Sequence, residues 1–267
     1  MKHLPTVLLF MVLSFVSNIT QAGSEQHSKA KFAAQDIASF AKQVEKFAAE
    51  KRAHAFIIGR LGQPADELPK GIQFTHTAIA IYSKIKLANG DTAFGYAIHN
   101  LYQDSKAPDN SNLVTDYPVD FFWGAQELKA GIIIPDEALQ LRIVEAIENG
   151  VNKSLHNANY SIIANPYNNQ YQNCTEHTLN IINAAIYQTD DMPTIKQRTK
   201  SFFKGQKVHV NRFKLALGNM FADGVSTSDH QGKIQTTTFT SIARYLDEYK
   251  LLNSAMVITP TQSSALF

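Results

Sequence analysis

The chain has 267 residues, 44% hydrophobic and 18% charged, which is the composition of a globular protein and excludes a disordered or fibrous one. A formal net charge of +2 is close to neutral and argues against nucleic acid or an anionic surface as the main partner. A chain of this length buries a sizeable core without disulfides, and it carries one cysteine, Cys174.

The first 22 residues read as a secretory signal. Lys2 and His3 form a basic start, Leu4 to Val16 an apolar run, and Thr20-Gln21-Ala22 a small-residue cleavage site. The run is too short to cross a bilayer comfortably, and no later stretch is longer and equally apolar. The mature chain is therefore expected to be periplasmic or secreted, with no transmembrane segment. In an oxidising compartment an unpaired cysteine reads as a reactive thiol or an intermolecular link, against the plain alternative of a buried inert one.

Residues 26–51 carry Phe32, Ile37, Phe40, Val44 and Phe47 at helical spacing. A short apolar run from His54 to Gly59 predicts a strand, and Pro64 and Pro69 mark a loop. From Phe74 to Ile85 apolar residues alternate. Asn89-Gly90-Asp91 signals a hairpin, and Thr92 to Tyr102 returns as a second strand. This places His76 and His99 near the open end of the hairpin, close to one another. Residues 103–119 are polar, contain Pro108 and Pro118, and read as a long loop. Asp120 to Gly124 is an aromatic cluster expected to pack in the core, with a substrate wall as the minority reading.

A strand from Gly131 to Ile134 precedes a helix that Pro135-Asp136-Glu137 opens and Gly150 ends. Asn159 to Ala164 reads as a strand, and the polar, aromatic stretch to Asn173 as a loop. Cys174 to Tyr187 is an apolar-periodic helix. Further helices are expected at 194–203 and 211–221. A loop with Asp229 and His230, a Thr-rich strand at 235–239, a helix through Tyr249 and a loosely ordered tail from Ser254 complete the chain. The resulting plan is an α+β fold: signal at 1–22, N-terminal helix at 23–53, one domain at 54–250 with a helical C-terminal extension, and a tail at 251–267.

A thiol is nucleophilic only as thiolate, and a helix N-terminus or a neighbouring imidazolium lowers its pKa. Cys174 has the first from its own helix, whose N–H groups could also hold an oxyanion. The hairpin offers His76 as base and His99 as the polar group that fixes its tautomer. His177, one turn beyond Cys174, reads as structural or capping. His54, Asp229 and His230 could reach the site only through tertiary contacts. No close His or Cys pair suggests a metal, and no cofactor is expected.

The pattern His76-Thr-Ala-Ile-Ala-Ile-Tyr, a turn at Gly90, Tyr96-Ala-Ile-His99 and then Asn173-Cys174-x-x-His177 resembles the circularly permuted papain-like families. These include permuted NlpC-type cell-wall peptidases and the lecithin–retinol acyltransferase group. The stretch from His54 to Asn183 also resembles an exported bacterial family of unknown function. The resemblance implies a permuted papain-like domain in which an antiparallel sheet packs on a nucleophile-bearing helix. Cys174 would be the nucleophile, His76 the base and His99 the third member. In that reading the helix N-terminus with a nearby donor such as Gln172 would hold the oxyanion, and Asn173, Trp123 and Tyr171 are further oxyanion or substrate-binding candidates for a peptide, glycopeptide or acyl substrate. The expected activity is an exported cysteine hydrolase or acyltransferase acting on an amide or ester, such as a cell-wall peptide. The alternative is a non-catalytic periplasmic binding or structural domain that uses the same groove, with Tyr167, Tyr171 and Trp123 as contacts.

Overall fold

The computed structural model describes residues 30–208 and 224–267, apart from 64, 66, 67, 69, 70 and 88. The signal segment at 1–22 and the helix expected at 211–221 lie outside the described residues. The described elements are α1 (Ala34–Glu50), β1 (Ala55–Arg60), β2 (His76–Lys86), β3 (Thr92–Gln103), β4 (Ser111–Asp116), α2 (Pro118–Trp123), β5 (Ala130–Pro135), α3 (Glu137–Glu148) and α4 (Val151–Ser154). They continue with α5 (Cys174–Tyr187), α6 (Met192–Phe202), β6 (Gln206–Lys207), β7 (Gln235–Thr236), α7 (Phe239–Glu248), β8 (Leu252–Ile258) and β9 (Ser263–Ala265).

Mixed helix and antiparallel sheet make this an α+β fold, as the hydrophobic pattern predicts. Seven strands form one sheet in the order β4-β3-β2-β1-β5-β8-β9, and β6 pairs with β7 in a separate ribbon. Strand β1 lies in the middle and is buried along its whole length, which explains why its sequence is a continuous apolar run. The alternation in β2 sorts two cores. Ala78 and Ala80 join Phe40, Phe121 and Phe122 under α1 and α2. Ile79 and Ile81 face Leu139, Leu179, Ile182 and Ile242 under α3, α5 and α7. Each buried Leu or Ile contributes about 1.5–3 kcal/mol, so a one-residue slip of β2 would lose both cores at once.

Two glycines fix the start of α7. Gly59 and Gly131 are cross-strand partners in β1 and β5. A Cβ on Gly131 would come within 2.6 Å of the Phe239 ring, and one on Gly59 within 2.9 Å. Their missing side chains form a seat for Phe239, the first residue of α7, whose ring centroid lies 4.7 Å from that of Phe74.

Several local expectations are corrected. The polar stretch at 103–119 contains β4 and the start of α2 rather than one long loop. Asn159 to Ala164 forms no strand; it makes only single bridges, Asn159 to Asn110 and Tyr160 to Gln172. The Thr-rich strand shortens to β7, and Thr238 instead caps α7, its hydroxyl accepting from Ser241 N. The tail from Ser254 is not loosely ordered. Strand β8 joins the main sheet beside β5, and β9 pairs with β8.

Candidate functional site

Asn173 begins α5. Its side-chain oxygen accepts from Glu176 N at 2.9 Å and its amide donates to Ile162 O at 2.9 Å, tying the helix start to the loop before it. Cys174 is then the first helical residue, only 4% exposed, packed against Leu101 and Tyr160. Its thiol lies 3.9 Å from Thr75 O and 3.7 Å from the Thr175 hydroxyl. Among the described residues no imidazole lies within hydrogen-bond reach of the sulfur. Cys174 stands on the wall of a cavity of about 270 Å³ with an apolar lining that includes Phe74, Ile162, Ile163 and Val225. Thr75, Asn173, Thr175 and Thr236, Thr237 and Thr238 add the polar groups.

The structure does not bring the expected base to this cavity. His76 follows the parity of Ala78 and Ala80, so its ring points to the α2 face, whereas Cys174 lies on the α5 face. The backbone at Thr75–His76 runs between them. The ring stacks on Tyr102 with centroids 4.6 Å apart and packs 5.5 Å from Phe121. Its Nε2 faces Asn100 Oδ1 at 2.9 Å, and its Nδ1 is buried with no hydrogen-bond partner among the described residues. The Asn100 amide in turn donates to Asp116 Oδ2 at 3.3 Å, and the Tyr102 hydroxyl donates to the same oxygen at 2.6 Å. Burial first, then the Arg60 guanidinium, holds the His76 pKa well below the ordinary imidazole value. The polar group beside the His76 ring is therefore Asn100, not His99.

His99 sits opposite Ile79 in the hairpin, so it belongs to the α5 face. It is one of the charged neighbours that depress His177, though burial is the main cause and takes His177 to about 3. Among the described residues His177 Nδ1 has no hydrogen-bond partner, and the His156 ring stands 6.2 Å away, centroid to centroid. Among the described residues no group of three or more His, Cys, Asp or Glu is placed to hold a metal ion.

The remaining expected contacts are committed elsewhere. Gln172 is fully buried; its amide donates to Leu155 O at 3.0 Å and its oxygen accepts from Asn157 N at 3.0 Å. Both ends of the would-be oxyanion donor thus hold the chain before α5. Trp123 is 38% exposed at the end of α2, and the Tyr171 hydroxyl lies 3.1 Å from that of Ser228; neither lines the cavity. Tyr167 accepts from Gly205 N at 2.9 Å. Asp229 accepts from Asn165 N at 2.7 Å, and His230 Nε2 lies 2.9 Å from Ile163 O, so this pair braces the loop that forms one cavity wall.

Sequence reasoning missed an ion pair directly behind the cysteine. Glu176 is fully buried and bonded to Lys196 on α6, whose ammonium also donates to Asn180 Oδ1 at 3.2 Å and Pro166 O at 3.3 Å. Burial, opposed by Lys196, pushes the Glu176 carboxyl up to about 7. A glutamate and a lysine twenty residues apart on two amphipathic helices carry no local signal of pairing.

A family described as an uncharacterized protein conserved in bacteria (DUF2145) matches residues 47–246. No curated protein matches the chain. No solved structure matches it either.

Proposed function

The chain belongs to that DUF2145 family, and we propose that it is an exported, non-catalytic binding domain for a small ligand with an apolar body. The cavity beside Cys174 carries this reading: about 270 Å³, apolar over most of its wall, with a few hydroxyls and one thiol. Small-molecule sites have this make-up, apolar walls with a few placed polar groups. A neutral, small apolar fluorophore such as 1-aminoanthracene should bind with one-to-one stoichiometry. Stoichiometric modification of Cys174 with N-ethylmaleimide should abolish that binding, and Cys174→Ser should preserve it. Unchanged binding to the modified protein would put the ligand elsewhere and end the proposal.

A second reading keeps the cysteine hydrolase or acyltransferase of the permuted papain-like superfamily. Its support is the position of Cys174, on the first turn of α5 and on the cavity wall at once. It requires a rearrangement that brings an imidazole to the sulfur, because a general base must reach the proton it removes. Its test is the pH profile of thiol alkylation. Catalytic pairing demands that a histidine substitution slow the reaction by orders of magnitude.

A further inference from the structure

The polar part of the cavity has a specific construction. Two helices begin on its wall. Asn173, Cys174 and Thr175 bring in the first turn of α5, and Thr236, Thr237 and Thr238 lead into the first turn of α7. Each helix has one first-turn N–H satisfied by its cap: Glu176 N by the Asn173 side chain at 2.9 Å, and Ser241 N by Thr238 at 3.1 Å. The first intrahelical bonds come one residue later, from His177 N to Asn173 O and from Ile242 N to Thr238 O. The N–H groups of Cys174 and Thr175, and those of Phe239 and Thr240, therefore have no intrahelical acceptor. Both macrodipoles place their positive ends at the same space.

A second observation, independent of the helices, points to a ligand. Thr237 is 3% exposed, lies on the cavity wall, and its hydroxyl has no hydrogen-bond partner among the described residues. A buried hydroxyl left unpaired costs about 1–3 kcal/mol, so its retention wants an occupant that can bond to it. The nearest carboxylate on α5, Glu176, is turned into its ion pair with Lys196 and does not load the cavity with uncompensated negative charge. No charged residue is among the described residues lining the cavity. Neutral donors and dipoles suit a singly charged acceptor better than a phosphate, which calls for Arg or Lys.

We infer that the Cys174 cavity binds an organic monocarboxylate, its anionic group held between the N-termini of α5 and α7 beside Thr237 and its apolar body lying against Phe74, Ile162 and Ile163. This rests on the proposed binding function and names the ligand class. The test measures, by calorimetry on the mature chain, a series of n-alkanoates from butanoate to decanoate against the matching n-alkanols. Thr237→Val, which removes only the unpartnered hydroxyl, is the second arm, with its thermal midpoint recorded. The best alkanoate should bind about ten-fold or more tighter than its alkanol, the worth of a charge-assisted hydrogen bond. Thr237→Val should erase most of that margin while its ligand-free midpoint stays level or rises. Equal affinities for acid and alcohol, with the variant indifferent, would overturn the carboxylate assignment and leave the apolar cavity standing as a binding site. Binding of neither series would overturn both.

Discussion

The Glu176–Lys196 pair makes a sharp prediction about stability and pH. Lys196→Met keeps the length and apolar stem of the side chain but strands a carboxyl that is 0% exposed. The substitution also removes the donors to Asn180 Oδ1 and Pro166 O. Breaking a buried ion pair from one side costs about 3–5 kcal/mol, because the remaining charge is left uncompensated. In the wild type, burial holds the folded carboxyl up at about 7, above the ordinary glutamate value of 4.5. The sign follows: the unfolded chain gives up this proton first, so Glu176 disfavours the folded state increasingly as pH rises from the lower value to the higher one. Above the folded value the penalty is constant. Without Lys196, burial and the Asp229 carboxylate are opposed only by the Asn180 hydrogen bond, so the folded pKa rises further and the penalty keeps growing above pH 7 at about 1.4 kcal/mol per pH unit. Urea unfolding at pH 6, 7, 8 and 9 should therefore show Lys196→Met losing ground to the wild type as pH increases. Glu176→Gln/Lys196→Met should recover most of the loss and lose the pH dependence. A deficit for Lys196→Met that is the same at all four pH values would refute the assignment of a buried, charge-dependent pair.

Other consequences follow from the same geometry. His177, at about 3, and His76 stay neutral when folded, while the unfolded chain takes up protons below about 6.5. These two groups withdraw stability as pH falls through that range, opposite in sign to Glu176, and His177→Gln should flatten the acid limb of a stability–pH curve measured by urea unfolding. Gly131→Ala drives a Cβ to 2.6 Å from the Phe239 ring and should cost about 1–3 kcal/mol, with weaker cavity binding in the same sample because α7 must shift. Tyr102→Phe removes a 2.6 Å bond to buried Asp116 and should cost about 1–3 kcal/mol by denaturant melt. That variant should keep its affinity for the best-fitting ligand, since the network lies on the other face of the sheet. Alkylation of Cys174 in His76→Gln should proceed at the wild-type rate where the variant is shown folded by circular dichroism; a drop of tenfold or more would return His76 to the thiol.

What could be read in advance was local. Helix α5 begins at Cys174 and ends at Tyr187 as expected, because its cap residue and its 3.6-residue period are contiguous. The hairpin of β2 and β3 was equally readable. Strand β4 was not, since it is a short polar edge strand between two prolines, and edge strands need only one apolar neighbour. Strand β8 pairs with β5, more than a hundred residues upstream, so nothing near it announces the ladder. The two hairpin histidines part on parity. With the turn at Asn89–Gly90, Ile79 pairs with His99. Three steps back along β2 from Ile79 and three steps forward along β3 from His99 bring His76 opposite Tyr102, on which it stacks. Proximity at the open end of a hairpin does not make two side chains face one another; an odd offset sends them to opposite faces.

That parity also explains why the chain can carry two polar centres without either compromising the other. The His76–Asn100–Asp116–Tyr102 network is sealed under α2, where each bond forms in a low dielectric and a missing partner would be costly. It stiffens the starts of β2 and the ends of β3. The backbone of those strands is the floor on which α5 rests, with Thr175 Oγ1 bonded to Thr77 Oγ1 at 3.4 Å and Cys174 beside Thr75 O. The cavity can then stay open and largely apolar because its walls are held from behind, by this network on one side and by Glu176 and Lys196 on the other. Loosening either should widen the range of ligands accepted before it lowers affinity for any one of them, since a less rigid wall discriminates less while its apolar lining is unchanged. Tyr102→Phe and Glu176→Gln/Lys196→Met, titrated with the same alkanoate series, measure this directly: a flatter dependence of affinity on chain length is the expected result, and an unchanged profile in both would show that the cavity keeps its shape without them.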